Sequence, residues 1–202
     1  MTLESLQGRR IAVLLGGDSP EREISLMSGA TVLGALDTLG ADTVRIDTAE
    51  ARWWLQLQDC ELAFISLHCA GGEDGVVQGA LETLGIPYTG SGVLGSALAM
   101  DKLMSKRLWQ GIGVATADFA ELDAHSDWQA IIDRLGSAFV KPASGGSSIG
   151  TAGAADAEAL AGAWQQAAQY GGKVIAERLI EGEEFTVAIL EDRALPAIRL
   201  ET

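Results

Sequence analysis

Short apolar runs alternate with helical periodicities along the first hundred residues or so of this 202-residue chain. Residues 11–15 form a continuous apolar run that ends at Gly16, as buried parallel strands often do. Residues 20–39 carry apolar side chains at helical spacing, and Gly40 follows at the position of a C-terminal cap. The same reasoning predicts strands over 43–46 and 62–67 and a helix over 76–84. This order predicts an α/β fold, with an open parallel sheet covered by helices on both faces.

A glycine-rich stretch at 90–95 interrupts this pattern, and helical sequence resumes over 100–110. The part that follows predicts strands over 116–120, 138–141, 174–179, 185–190 and 194–200, with helices over 127–135 and 155–169. We therefore expect a first domain over 1–97, a smaller α+β unit over 98–182 and the start of a third unit over 183–202. Because the chain stops in or just after a strand, we expect it to be truncated, with this third unit incomplete.

Composition narrows the possible functions. Acidic residues outnumber basic ones 28 to 14, for a formal net charge of −14, which argues against a general nucleic-acid binder. This charge does not exclude ATP, because a few lysines in a cleft determine local affinity. No apolar run reaches the roughly 18 residues of a membrane span. With no secretion signal, and with Cys60 and Cys69 forming neither a metal cluster nor a disulfide framework, a reducing cytoplasm is expected.

The segment 139–150 has the chemistry of a phosphate cradle. An apolar strand ends at Lys141, a compact positive charge, and a glycine-serine loop follows. The loop residues that could contact an anion are Gly145, Gly146, Ser147, Ser148 and Gly150. The lysine precedes the glycines, so this is not a Walker A loop. An ordinary turn would have the same composition, because glycine and serine dominate turns.

Two further candidates follow predicted strands, at the sheet edge where ligands of parallel sheets tend to bind. Glu21 begins a helix after the first strand and could face a substrate ammonium group, although helix capping alone also explains an acid there. His68 follows the third strand, and Glu73 could orient its imidazole. The alternative is a histidine that only satisfies a local hydrogen bond.

Two weaker signals lie in the second half of the chain. Lys102 is in the first turn of a predicted helix, against the helix dipole, so it is either held by an anion or simply exposed. The segment 175–185 joins an apolar strand to a run of acids. Its backbone could contact an adenine edge and a carboxylate could accept from ribose hydroxyls, but a charged hairpin turn would look the same.

Taken together, these segments resemble the D-alanine–D-alanine ligases of the ATP-grasp superfamily. The ordered motifs are Val13-Leu14-Leu15-Gly16-Gly17, Glu21-Arg22-Glu23-Ile24-Ser25-Leu26, Leu67-His68, Gly72-Glu73-Asp74-Gly75, Tyr88-Thr89-Gly90-Ser91-Gly92, Met100-Asp101-Lys102, Lys141-Pro142, Gly146-Ser147-Ser148-Ile149-Gly150 and Glu184-Phe185-Thr186-Val187. They cover nearly the whole chain. The resemblance implies a pre-ATP-grasp domain followed by an ATP-grasp central subdomain and a carboxyl-terminal subdomain.

The resemblance also implies a bacterial cytoplasmic enzyme of peptidoglycan precursor synthesis, and thus of cell wall biogenesis and cell shape. ATP would phosphorylate one D-alanine, and the amine of a second would attack the acylphosphate. Glu21 would hold the ammonium of the first D-alanine, His68 and Glu73 would act near it, and Ser147 would position substrate and the covering loop.

On the nucleotide side, the resemblance implies that Lys102, Lys141 and Ser148 contact the ATP phosphates. The segment Glu177, Arg178 and Ile180 would contact adenine, and Glu184 the ribose. Mg²⁺ or Mn²⁺ is implied for the complete enzyme, with its ligands expected beyond Thr202, and a homodimer is implied as well. The family also has an arginine that stabilises the tetrahedral oxyanion, and no part of this chain corresponds to it. We therefore expect this chain to be inactive as a ligase and to bind ATP weakly.

The sequence departs from the family pattern at a few positions. Cys69-Ala70 replaces a glycine-led step after the histidine, and Gly145 replaces a residue that is often acidic. Two other functions stay open at this point. One is a D-alanine–D-lactate ligase, since the missing loop selects the second substrate, and the other is a non-catalytic binding protein.

Overall fold

The structure is a computed structural model that describes residues 6–146 and 149–201. Its helices in those residues are α1 (Arg22–Thr38), α2 (Val76–Leu84), α3 (Val93–Met100), α4 (Lys102–Gly111), α5 (Trp128–Leu135) and α6 (Ala157–Ala168), with a 3-10 helix at Trp53–Leu57. Its strands there are β1 (Arg10–Leu15), β2 (Asp42–Asp47), β3 (Leu62–Ile65), β4 (Phe119–Leu122), β5 (Ala138–Pro142), β6 (Ala152–Ala154), β7 (Val174–Arg178), β8 (Glu184–Thr186), β9 (Ile189–Leu190), β10 (Arg193–Ala194) and β11 (Ile198–Leu200).

The first sheet is parallel and has the strand order β2-β1-β3. β1 is buried on both faces, which explains its continuous apolar run. Leu15, on one face, packs with Leu36 of α1, and Leu14, on the other, packs with Leu57 of the 3-10 helix and Leu81 of α2. The predicted parallel sheet with helices on both faces is confirmed.

The second sheet is antiparallel, with the order β4-β7-β5-β6. Leu135 of α5 and Leu160 of α6 pack on one face together with Val140 and Val174. On the other face Leu103 of α4 packs with Phe119, Ala143 and Ile175. An α+β arrangement therefore follows the α/β part, as predicted, and the candidate phosphate site lies on the α4 side of this sheet.

Several predicted strand bounds were wrong. β3 ends at Ile65 rather than at residue 67, although the Ser66 amide still donates to the Leu14 carbonyl at 2.8 Å. β4 spans Phe119–Leu122 instead of 116–120, and β6 was not predicted because three small residues carry no periodicity. The strands predicted over 185–190 and 194–200 are each divided in two, so that β8 pairs with β11 and β9 pairs with β10.

The helical sequence predicted over 100–110 is also divided differently. α3 starts at Val93, inside the glycine-rich stretch, and ends at Met100. Asp101 then leaves the helical conformation, and its side chain accepts from the amide of Met104 at 3.0 Å, which caps α4. Lys102 is thereby fixed as the first residue of a new helix. None of the helices in residues 6–146 and 149–201 is long and apolar enough to cross a membrane.

Candidate active site

The loop between β1 and α1 is held by an ion pair between the half-buried Arg22 and the buried Asp47. Arg22 donates to the two carboxylate oxygens of Asp47 at 2.9 and 2.6 Å, and Asp47 also accepts from the amides of Gly17 and Ala49. The hydrogen bond from Arg22 lowers the pKa of Asp47 to about 2. Gly16 lies at a φ of 73°, and a Cβ there would come within 2.6 Å of the Asp47 Cγ. The pair therefore fixes the loop path without using a residue of the predicted site.

Glu21 lies at the N-terminus of α1 and makes no capping hydrogen bond with its side chain. The carboxylate therefore does not cap the helix by a hydrogen bond, although its position still suits the positive end of the helix dipole. The start of the helix is positioned by Ser25, whose hydroxyl accepts from the Gly16 amide at 2.9 Å and donates to the Ser66 carbonyl at 2.6 Å. These contacts hold Glu21 at the carboxyl ends of β1 and β3.

His68 follows β3 and lies between two polar side chains. Its Nε2 is 3.0 Å from the Ser28 hydroxyl, and its Nδ1 is 4.0 Å from a Glu73 carboxylate oxygen. The other oxygen of Glu73 accepts from the amide of Cys69 at 2.9 Å. The structure thus brings His68 and Glu73 together, as the sequence predicted. Sequence reasoning missed Ser28, because its contact depends on how α1 packs against β3.

Cys69 connects this loop to the glycine-serine loop. It adopts a φ of 59°, which favours glycine, and it is buried. Burial raises the pKa of its thiol, and the nearby Glu21 carboxylate adds to the effect. Its Sγ lies 3.2 Å from the position that a Cβ would take at Gly146. The family departure at Cys69 therefore falls at a contact between the two candidate loops, whereas Ala70 is exposed.

Gln78 supports the same loop from beneath. This buried side chain of α2 donates through Nε2 to the Gly72 carbonyl at 2.8 Å, while its buried Oε1 has no hydrogen-bond partner among the described residues. Gly72 lies so close to Leu67 that a Cβ would come within 2.9 Å of the Leu67 carbonyl carbon. Sequence reasoning missed Gln78. The sequence feature that could have indicated it is a polar residue among the buried positions of the apolar face of α2.

Lys102 ties α4 to the glycine-serine loop. Its Nζ donates to the Gly145 carbonyl at 2.6 Å, and its backbone amide donates to the Ala143 carbonyl at 2.8 Å. Burial, together with the charge of Lys141, lowers the pKa of Lys102. Lys102 and Lys141 line a shared cavity of about 210 Å³ beside Gly145 and Gly146. Two cations and two exposed glycines at one cavity are suited to a polyphosphate.

Glu177 of β7 carries a carboxylate that is shared by two lysines. Lys141 contacts its Oε1, and Lys106 donates to its Oε2 at 2.7 Å. Burial alone would raise the pKa of Glu177, but the hydrogen bonds from Lys106 and Lys141 hold it below its usual value. Lys106 also donates to Thr116 at 2.7 Å and lies over the ring of Phe119. Sequence reasoning missed Lys106, since its partner is 71 residues away in the chain.

The structure does not bring the other predicted nucleotide residues to this cluster. The Arg178 side chain turns to Asp118 and to the Arg134 carbonyl, each at 3.1 Å. Ile180 and Glu184 are exposed, and in the described part of the chain neither lines the 210 Å³ cavity. Ser147 and Ser148 lie outside the described residues.

A cleft of about 820 Å³ joins the two candidate loops. Its polar lining includes Ser28, His68, Glu73, Gln78, Lys102 and the backbone at Gly145. The cleft is thus lined by a carboxylate and an imidazole from the loop after β3, and by a lysine of α4 and glycines of the loop after β5. Across residues 6–146 and 149–201, no group of three or more His, Cys, Asp or Glu residues is placed to hold a metal ion.

Comparison with known proteins gives the same family from sequence and from structure. Residues 108–201 match the family model described as D-ala D-ala ligase C-terminus. The chain is 51% identical to a D-alanine--D-alanine ligase of Pseudomonas putida, over 100% of this chain and 64% of that protein. It is 53% identical to one of Alkalilimnicola ehrlichii, over 96% of this chain and 62% of that protein. The chain therefore spans less than two thirds of the length of these curated relatives.

Solved structures agree. A D-alanine--D-alanine ligase from Bacillus anthracis superposes with a TM-score of 0.87 at 36% identity, over 95% of this chain and 64% of that one. The same ligase complexed with ATP gives 0.87 at 35% identity, over 96% of this chain and 67% of that one. With parallel and antiparallel sheets arranged as in these structures and the ordered motifs in place, the chain belongs to the D-alanine–D-alanine ligase family of the ATP-grasp fold.

Proposed function

We propose that this chain provides the substrate and nucleotide sites of an ATP-dependent ligase that joins two D-alanines. The γ-phosphoryl group of ATP passes to the carboxylate of the first D-alanine and gives D-alanyl phosphate and ADP. The amine of the second D-alanine attacks the acyl carbon, phosphate leaves, and D-alanyl-D-alanine remains. The observation that carries this proposal is the single cleft in which His68 and Glu73 face Lys102 and the glycine-serine loop.

On the substrate side, Glu21 binds the ammonium of the first D-alanine. His68, oriented by Ser28 and Glu73, contacts the same substrate. The carboxylate of this D-alanine then points toward the glycine-serine loop, because Cys69, which follows His68, contacts that loop at Gly146. Positioning of this kind supplies a large part of the rate enhancement in phosphoryl transfer. Ser147 completes the substrate contacts in this proposal.

On the nucleotide side, Lys102 and Lys141 neutralise the polyphosphate as charge develops on it, assisted by Ser148. Glu177 binds the adenine edge. Because the Arg178 side chain is engaged by Asp118, Arg178 contributes backbone groups only, and Ile180 contacts the adenine as well. Glu184 contacts the ribose. This contact requires that β8 and the carboxyl end of β7 approach each other around the nucleotide.

Other parts of the proposal rest on the family resemblance. Mg²⁺ or Mn²⁺ would supply further charge neutralisation at the phosphates. The protein would be a homodimer and would act in peptidoglycan precursor synthesis. The division into a pre-ATP-grasp domain (1–97), a central subdomain (98–182) and a carboxyl-terminal subdomain (from 183) also stays a prediction. A cytoplasmic location is supported by Cys60 and Cys69, which are free thiols.

Ligand binding to the 202-residue chain tests this proposal. Saturation-transfer NMR should detect ATP and D-alanine, and it should detect no binding of L-alanine. The double variant K102M/K141M should lose the ATP signal and keep the D-alanine signal, whereas K173M, which alters an exposed lysine paired with Glu121, should keep both. An unchanged ATP signal in K102M/K141M would contradict the nucleotide assignment. Competition by D-lactate against D-alanine at neutral pH would favour a D-lactate ligase.

A further inference from the structure

Lys106 is a buried cation that the proposed reaction does not use. Its residue is 4% exposed, and its Nζ donates at 2.7 Å to the Thr116 hydroxyl and at 2.7 Å to Glu177 Oε2. The same Nζ lies 5.2 Å from the centroid of the Phe119 ring. An ammonium has three donors, so the two hydrogen bonds and the ring face commit the charge of Lys106 within the protein.

Lys141 contacts the same carboxylate, but its side chain is more exposed than that of Lys106. Its side chain is 27% exposed, and it lines the 210 Å³ cavity beside Gly145 and Gly146. A phosphate in that cavity competes with Glu177 for Lys141. When Lys141 turns to the phosphate, Glu177 Oε1 loses a donor, while Lys106 keeps Oε2 paired and the carboxylate in place. The two lysines therefore have different tasks: Lys141 can bind the ligand, whereas Lys106 only holds Glu177.

An aromatic side chain beside Glu177 offers a surface for a planar base. Phe139 of β5 is directly opposite Glu177 of β7 in the strand register, so both side chains lie on the same face of the sheet. Phe139 is 39% exposed. A heterocycle that stacks on Phe139 presents its edge to Glu177 Oε1. An amino group at that edge donates to the carboxylate, whereas a carbonyl there meets a second acceptor and is repelled.

We propose that Lys106 is a positioning residue for base selectivity: it holds Glu177 as a fixed acceptor, so that the site prefers a nucleotide whose base carries an exocyclic amino group. This inference rests on the proposed function and deepens it, because it assigns the discrimination between an amino and a carbonyl edge to one buried lysine. Without Lys106, Glu177 remains with Lys141 alone, and it can neither stay ionised at low cost nor keep its orientation when Lys141 moves.

Competition binding with ATP and inosine triphosphate tests this inference, since the two differ by an amino group against a carbonyl on the base. The probe is a fluorescent ATP labelled on the ribose, displaced by each nucleotide from the full chain. We expect the unaltered chain to prefer ATP, and the preference ratio to fall by about tenfold in K106M, equivalent to one lost hydrogen bond to a charged group. K173M is the matched lysine-to-methionine control and should keep the ratio.

The outcomes separate this inference from the proposed function. If the unaltered chain does not bind the probe, the proposed function fails first. If it binds and K106M weakens both nucleotides by the same factor, or leaves both unchanged, Lys106 is merely structural and the inference is overturned. If K106M does not fold, T116V removes only the hydroxyl partner of Lys106, and its ratio should fall by about twofold to threefold. An unchanged ratio in folded T116V would also overturn the inference.

Discussion

The two sheets of this molecule use their ion pairs in opposite ways. In the parallel sheet, the Arg22–Asp47 pair holds the loop after β1, with Arg22 also donating to the Gly17 carbonyl, and neither residue is a candidate ligand group. The pair shapes the loop, but no ligand has to break it. Folding and binding therefore depend on different side chains in this region.

In the antiparallel sheet a partly buried ion pair is itself part of the candidate site. Lys141 and Glu177 lie within strands, on the sheet face that α4 covers, and each is a proposed nucleotide contact. Binding must rearrange the same charges that the fold has already paired. The comparison teaches that mutations can separate stability from binding in the first region, whereas in the second region the two are linked.

Gly16→Ala tests the first region with the largest expected effect. A Cβ at this left-handed position would meet the Asp47 Cγ at 2.6 Å and the Arg22 Nη1 at 2.8 Å, so the ion pair must shift. We expect a loss of about 3 kcal/mol in the free energy of unfolding, of which about 1 is the left-handed backbone and up to about 2 the disturbed ion pair, measured by urea titration. ATP affinity measured on the folded fraction should stay unchanged.

Gly8→Ala is the matched control, because Gly8 has the same φ of 73° and nothing within 4 Å of an added Cβ. It should lose only about 1 kcal/mol, the cost of the left-handed backbone itself. Equal losses at both glycines would show that the ion pair does not determine the loop path, and the contrast between the two regions would break down.

Acid should remove the contribution of Asp47 to the free energy of unfolding, which is the second largest expected effect. Its pKa in the folded protein is about 2, below the ordinary value of 3.8, so the pair stabilises the folded state above about pH 4 and loses this effect as the pH falls toward 2. The contribution at pH 7 is about 2 kcal/mol. We therefore expect D47N to be less stable than the unaltered chain at pH 7, with a gap that narrows by pH 3.

Asp42→Asn is the control for this prediction, since Asp42 forms an exposed pair with Arg10 at 2.8 Å. It should change the unfolding free energy by less than about 1 kcal/mol at either pH. If D47N and the unaltered chain differed equally at pH 7 and pH 3, the charge of Asp47 would not be what stabilises the loop.

Lys102→Met sharpens the comparison from the second region. Removing a phosphate contact should weaken ATP binding by roughly tenfold to thirtyfold, or about 1.4 to 2 kcal/mol, as measured by displacement of a fluorescent ATP. Because burial beside Lys141 lowers the pKa of Lys102, the substitution also removes an unfavourable charge from the folded state. Stability should therefore increase slightly while binding is lost, so that in this region the two quantities change together, in opposite directions.

The matched control is Arg107→Met on the same helix, where the exposed Arg107 pairs with Glu121 at 2.7 Å. It should affect neither quantity appreciably. A Lys102→Met variant that lost stability and binding together would indicate that Lys102 serves mainly to tie α4 to the Gly145 loop.

The sequence was sufficient for features that follow from local order along the chain. Apolar runs and glycine caps predicted β1 and α1, and the rule that ligands meet strand ends placed His68 and Glu73 at one edge. Pairings across the fold were not predictable. Lys106 meets Glu177, and Arg22 meets Asp47, only because separate elements pack together.

One correction was within reach of the sequence alone. Glu177 and Arg178 are consecutive in a strand, so their side chains point to opposite faces and cannot both contact one ligand. The structure follows this alternation, with Glu177 on the lysine face and the Arg178 side chain at Asp118. The alternation of side chains along a strand is thus enough to restrict Arg178 to a backbone role at this site.

Gln78→Met carries the smallest expected effect on stability and the clearest separation of stability from binding. The substitution removes the hydrogen bond to the Gly72 carbonyl, which costs about 1 kcal/mol, and it also removes a buried Oε1 that has no partner among the described residues. The two changes offset each other, so the unfolding free energy should move by less than about 1 kcal/mol.

D-alanine binding should still weaken. Gly72 packs directly against Leu67, the residue before His68, and the hydrogen bond from Gln78 holds Gly72 in that position. Calorimetric titration with D-alanine measures this effect. Gln129→Met, at an exposed glutamine of α5 that donates to Asp133 at 2.8 Å, should alter neither quantity. A large stability loss in Gln78→Met alone would mean that Gln78 secures the fold itself, and the first region would then not separate stability from binding.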